Sequence, residues 1–140
     1  MSLSIKELQK YVKASFCDVE LVDDSIIRFT RKAGGRPFAV YYVDLNAELP
    51  NTPQSLAQYQ DRVIGKHYFE GRKSLQWSNY LLFVNSSDQL TETSTHQAKK
   101  MIEDDRNYAR KFVISENELY NSLLILSLSL VSLSAPLLSL

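Results

Sequence analysis

Cysteine is almost missing from this chain. Cys17 stands alone among 140 residues, and His67 and His96 are the only histidines. No internal disulfide is available, and the soft ligands are too few for a structural zinc site. Glycine is scarce as well. Its four occurrences include no phosphate-cradling loop, because Gly34-Gly35 joins two strand-like runs rather than a strand and a helix. Net charge is absent, with 16 Lys and Arg against 16 Asp and Glu, so no overall field draws the chain onto nucleic acid or an anionic membrane. Direct nucleic-acid binding is therefore not expected. The opening MSLSIKELQKYVK lacks a long apolar stretch behind basic residues, so no secretory signal is expected and the cytoplasm is the expected compartment.

What is present is one domain's worth of alternating and helical apolar pattern, long enough to bury a core without staples. Ser4 and Glu7 have capping-box spacing before a first helix near residues 5–15, with Ile5, Leu8, Tyr11 or Val12, and Phe16 at helical intervals. VELV, SIIRFTR and RPFAVYYVDL read as three strands, divided by Asp23-Asp24 and by Gly34-Gly35. Thr52 caps a second helix whose first residue is Pro53; Leu56, Tyr59 and Val63 give it an apolar face, and Gly65 suits its end. LQWSNYLLFV then alternates so that Leu75, Trp77, Leu81 and Phe83 share a side with Asn79. Ser94 opens a third helix through Ala98, Met101 and Ile102 that frays near Asp105, KFVI is a short fifth strand, and Ser115 with Glu118 caps a closing helix. The predicted architecture is α+β: a mixed sheet of about five strands, with elements in the order α-β-β-β-α-β-α-β-α and helices packed on the sheet. The domain is expected to run over residues 1–118.

Residues 119–140, LYNSLLILSLSLVSLSAPLLSL, carry no charge and consist almost wholly of Leu, Ser, Ile and Val. Three readings stand side by side. Twenty-two residues of this kind could span a bilayer as a tail anchor, although basic flanks are missing and LSLSL alternates like a strand. The segment could be the product of a truncated or frame-shifted reading frame, with a break near Ser122. Or it packs within the protein.

The search for chemistry turns up mostly structural roles. Helix, three strands, helix and strand is also the order of the restriction-endonuclease-like core, in which a lysine two residues past an acid on the third strand serves metal-dependent cleavage. Here that strand reads AVYYVDLN: Asp44 is followed by Asn46, and Asp23 and Asp24 suit a turn. Neither histidine accompanies a nucleophile motif. Arg31, Lys32 and Arg36 gather at a hairpin, where exposed bases commonly serve solubility. Trp77 beside Asn79 fits either a recognition surface or a core tryptophan with a satisfied amide. In IEDDRNYARKFVIS, the alternating Glu103, Asp104, Asp105, Arg106, Arg110 and Lys111 suggest ion pairs on a solvated face, with Tyr108 packing as the chain turns. No catalytic, metal or cofactor residue is assigned.

Four segments, YYVDLNAELP, SLAQYQDRVIGKHYFEG, SLQWSNYLLFV and IEDDRNYARKFVISENEL, together resemble the first middle-component family of bacterial ABC three-component conflict systems, a group related to Lamassu-type phage defence. The likeness covers roughly residues 38–120. Its most distinctive pieces are Leu75-Gln76-Trp77 with Asn79-Tyr80, and Tyr108-Ala109-Arg110-Lys111 before a strand. The resemblance implies an accessory subunit, without catalytic residues, that works by protein contacts beside an SMC-like or ABC ATPase and an effector subunit. Trp77, Tyr80, Tyr108, Arg110 and Lys111 are the candidate partner contacts. Such a family would continue into further polar sequence, so the apolar end departs from it and favours a truncated chain. A degenerate or divergent nuclease and a small tail-anchored membrane protein are the rival expectations.

Overall fold

The computed structural model describes residues 3–33, 35–46, 48–65, 79–85 and 92–128. Helix α1 (Ile5–Ser15) leads into strands β1 (Cys17–Asp23), β2 (Ile26–Ala33) and β3 (Arg36–Asp44). Helix α2 (Pro53–Gln60) and a single π-helical turn (Asp61–Gly65) precede β4 (Asn79–Asn85), followed by α3 (Thr93–Asp104), β5 (Arg110–Ser115) and α4 (Glu116–Leu128). Strand order in the sheet equals chain order. The first three strands pair antiparallel, while β3–β4 and β4–β5 are parallel. The predicted mixed five-stranded α+β architecture and its element order are those of the protein.

The topology follows from the connections. Short turns close the β1–β2 and β2–β3 hairpins, whereas parallel neighbours need crossovers. The two crossovers carry α2 and α3, and both helices pack on the same face of the sheet. There Leu56, Val63, Ile64 and Ile102 meet Ile26, Val40, Tyr42, Leu81, Phe83 and Val113. Helices α1 and α4 cover the opposite face, where Leu8, Val12, Phe16, Leu119 and Leu123 meet Ile27, Phe29, Tyr41, Val43, Leu82 and Ile114. Across that face runs an aromatic row, Phe16, Phe29, Tyr41 and Tyr80, with successive ring centroids 4.8, 5.5 and 5.1 Å apart. Because both faces are covered, β4 is buried at every position. Leu81 and Phe83 do share a side, but their alternate neighbours are equally enclosed.

Local signals are largely obeyed. Ser115 and Glu118 form a complete capping box at 3.2 and 3.1 Å, as do Thr52 and Ser55. Ser4 Oγ accepts from the Glu7 amide at 3.2 Å, but Glu7 returns to the Ser4 hydroxyl rather than to its backbone. Helix α2 stops at Gln60 and passes into the π turn before reaching Gly65. Helix α3 begins at Thr93 with no side-chain cap, so Ser94 lies inside its first turn rather than ahead of it.

One expectation about charge changes, and the start of the tail takes one of its three readings. Arg31 is not an exposed hairpin residue: it is 1% exposed and donates to Tyr41 Oη at 3.4 Å, since it shares the inward face of β2 with Ile27 and Phe29. Helix α4 runs across the 118/119 boundary, and Leu119 and Leu123 are fully buried in the α1-side core. The first part of the apolar segment thus packs within the domain. Among the described residues, no helix is long and apolar enough to cross a membrane.

Candidate functional site

Three polar constellations lie around the sheet. The first forms where β3 ends. Asp44, 2% exposed, accepts at Oδ1 from Ser25 Oγ at 3.2 Å and the Asn46 amide at 2.7 Å, and at Oδ2 from the Tyr59 hydroxyl. Burial pushes its carboxyl above the ordinary carboxylate range, against the pull of Tyr59, Asn46 and Ser25. Burial and the Asp44 charge together push the Tyr59 hydroxyl far up. Arg62 lies over the Tyr59 ring at 5.5 Å and pairs with Asp23 at 2.7 Å. Asp23 is held below the ordinary range by the Asp24 amide first and Arg62 second. These groups line a cleft of about 490 Å³ that also includes Asp24 and Glu48.

The second constellation is the stretch whose charges invited attention in the sequence. Lys111 is not on a solvated face. Its side chain is 0% exposed, and Nζ donates to the carbonyls of Asp105, Asn107 and Ala109 at 3.0, 2.8 and 2.8 Å and to Asp105 Oδ1 at 2.9 Å. The chain from 105 to 109 is wrapped around this ammonium. Burial pulls the Lys111 pKa down, partly offset by Asp105. Burial also pushes the Asp105 carboxyl up, but Lys111, the Asn107 amide and Gln60 outweigh it and hold it below the ordinary range. Tyr108 adopts a left-handed φ of 65°, uncommon for a bulky residue, and its hydroxyl donates to Asp61 Oδ1 at 2.8 Å.

The third is the outer side of α3, where Lys99 Nζ donates to the Val113 carbonyl at 3.2 Å and Glu103 Oε2 accepts from the Val113 amide at 2.9 Å. With His96, Lys100, Asp104 and Glu118, these residues line a shallow cleft of about 520 Å³.

Of the five candidate contacts, Trp77 lies outside the described residues, as do Leu75, Gln76 and His67. Tyr80 is 8% exposed and belongs to the aromatic row. It faces Arg110 in the β4–β5 register, and Arg110 is half-buried with its guanidinium 5.7 Å from the Phe112 ring. Tyr108 is half-buried and Lys111 wholly buried. Of the four described members, Tyr80 and Lys111 thus shape the molecule from within, and Tyr108 and Arg110 reach its surface. Reading the sequence missed Gln60 and Asp61. A signal existed: Gln60 falls four residues after Leu56 and three before Val63, on the apolar face of its helix. Among the described residues, no three His, Cys, Asp or Glu side chains converge as metal ligands. Comparison with known proteins finds no matching family model, no matching curated protein and no matching solved structure.

Proposed function

We propose that this chain is a non-enzymatic, cytoplasmic accessory subunit of an ATPase-driven antiphage complex, working through contacts with an SMC-like or ABC ATPase and an effector subunit. The observation that carries the reading is the fate of Asp44. Open α/β sheets hold their ligands beyond the carboxyl ends of their strands, and at that place on β3 both Asp44 oxygens are taken by Ser25, Asn46 and Tyr59. A reagent carboxylate is held open toward its substrate or metal, whereas here each oxygen already accepts and the group ties three segments together. The family resemblance supplies the partner class. Co-expression with the ATPase and effector encoded beside this chain tests it: a co-purifying complex, weakened by Arg110→Ala, is the expected result. A gene without such neighbours, or subunits that never associate, sinks it.

A second reading, a degenerate nuclease, draws on Asp23, Asp24 and Asp44 opening onto one cleft. Metal-dependent cleavage of DNA that disappears in Asp44→Asn would favour it. Inactivity with every divalent metal removes it.

A further inference from the structure

Between α2 and the 105–109 loop lies a small cleft of about 380 Å³, lined by Ala57, Gln60, Asp61, Asn107 and Tyr108. Its hydrogen-bonding groups are one-sided. The Tyr108 hydroxyl spends its proton on Asp61 Oδ1, and the Gln60 amide donates to Asp105. Apart from the Asn107 side-chain amide, which can both donate and accept, what remains is acceptor. Gln60 is 1% exposed, and among the described residues its Oε1 is buried with no hydrogen-bond partner. Leaving a buried carbonyl unpaired costs about 1–3 kcal/mol, so such a group calls for an explanation. Asp61, at the rim, has Tyr108 as its hydrogen-bond partner and no cationic partner among the described residues. The charge of neighbouring Lys111 is already matched by Asp105.

A visitor to this cleft must bring donors and a positive charge, and must stand beside an aromatic ring. The volume is at the small end of the range for ligand pockets and has room for the head of one side chain. Arginine meets these conditions: its planar guanidinium carries five N–H donors, no acceptor and a permanent charge, and it stacks on aromatic faces. We infer that this cleft receives an arginine side chain from a protein partner, with the Asp61 carboxylate and Gln60 Oε1 as acceptors and the Tyr108 ring as its wall. The inference rests on the accessory-subunit reading for its partner and names the place where that partner anchors.

The test needs no partner. The full chain, labelled with nitrogen-15, is titrated with N-acetyl-arginine amide, with the citrulline analogue of the same shape and no charge, and with N-acetyl-lysine amide. The arginine probe is expected to give saturable shifts in the Gln60 and Asn107 side-chain amides and the Tyr108 backbone amide. Citrulline should give none, and lysine a weaker response. Asp61→Asn, an exposed change whose fold the same spectra verify, is expected to weaken arginine binding about tenfold, the order of one charge-assisted hydrogen bond. No saturable response to arginine, equal binding of citrulline, or unchanged affinity in Asp61→Asn overturns the inference. A chain that binds arginine yet never assembles with the ATPase would instead remove the accessory-subunit reading and leave the cleft's chemistry standing.

Discussion

Lys111 brings a charge where water does not reach, and the chain answers with three carbonyls and a carboxylate. An ammonium has three protons, so four acceptors saturate it, and the loop is bound to the sheet by one atom. Lys111→Met removes the cation and strands Asp105 together with the three carbonyls. We expect a loss of about 3–5 kcal/mol, the usual cost of breaking a buried pair from one side, read by urea denaturation. Asp105 also sets an acid limit. Its folded pKa lies below the ordinary 3.8, so its contribution is present above that value and is lost as pH falls through the lower folded one. Stability should therefore decline as pH falls below about 4, and Asp105→Asn should flatten that limb in acid titrations followed by circular dichroism. Gly35 has φ of 77° and open space where a side chain would sit. Gly35→Ala should thus cost about 1 kcal/mol through backbone strain alone.

The two edges of the sheet are managed differently. At β5, Lys99 and Glu103, one helical turn apart on α3, occupy the carbonyl and amide of Val113 from outside. They act as a surrogate strand, shielding an edge that would otherwise template pairing with another chain. Glu103→Ala should cost about 1–2 kcal/mol by freeing that amide and should raise self-association in sedimentation velocity. At the other edge, β1 is protected by irregularity: its register slips twice against β2, and Asp18 sits at φ 52°. Its charges are internally paired, Asp18 with Lys32 and Glu20 with Arg28. Leu21 is its exposed apolar member. Periodicity foretold these strands, but not that helix α3 would hydrogen-bond to the edge of one of them.

For the whole molecule, the informative contact joins the residues before α1 to the start of α4. The Leu3 amide donates to Glu116 Oε1 at 3.0 Å, and α4 lays Leu119 and Leu123 beside Leu8 and Val12 of α1. An uncharged run that resembles an anchor in one dimension is, over its first turns, the lid of a core in three. Leu123→Ala should cost about 2–5 kcal/mol in thermal and urea unfolding, and removal of residues 119–140 should unfold the domain rather than release it from a membrane. If that deletion leaves a folded domain of unchanged stability, α4 is dispensable and the packing argument fails.

Sequence alone determined the class of this protein, because apolar spacing, capping pairs and turn residues act over a few neighbours and each names its element locally. Tertiary structure alone decided which charges are inside. Arg31 and Lys111 look like surface residues in a string of letters, and burial depends on what other segments bring to them: Tyr41 from the next strand in one case, a loop folding back on itself in the other. The same holds for Asp61, whose hydrogen bond with Tyr108 spans 47 positions of chain and exists only once the segment after α2 and the one before β5 meet over one sheet, bringing Gln60 into the same cleft.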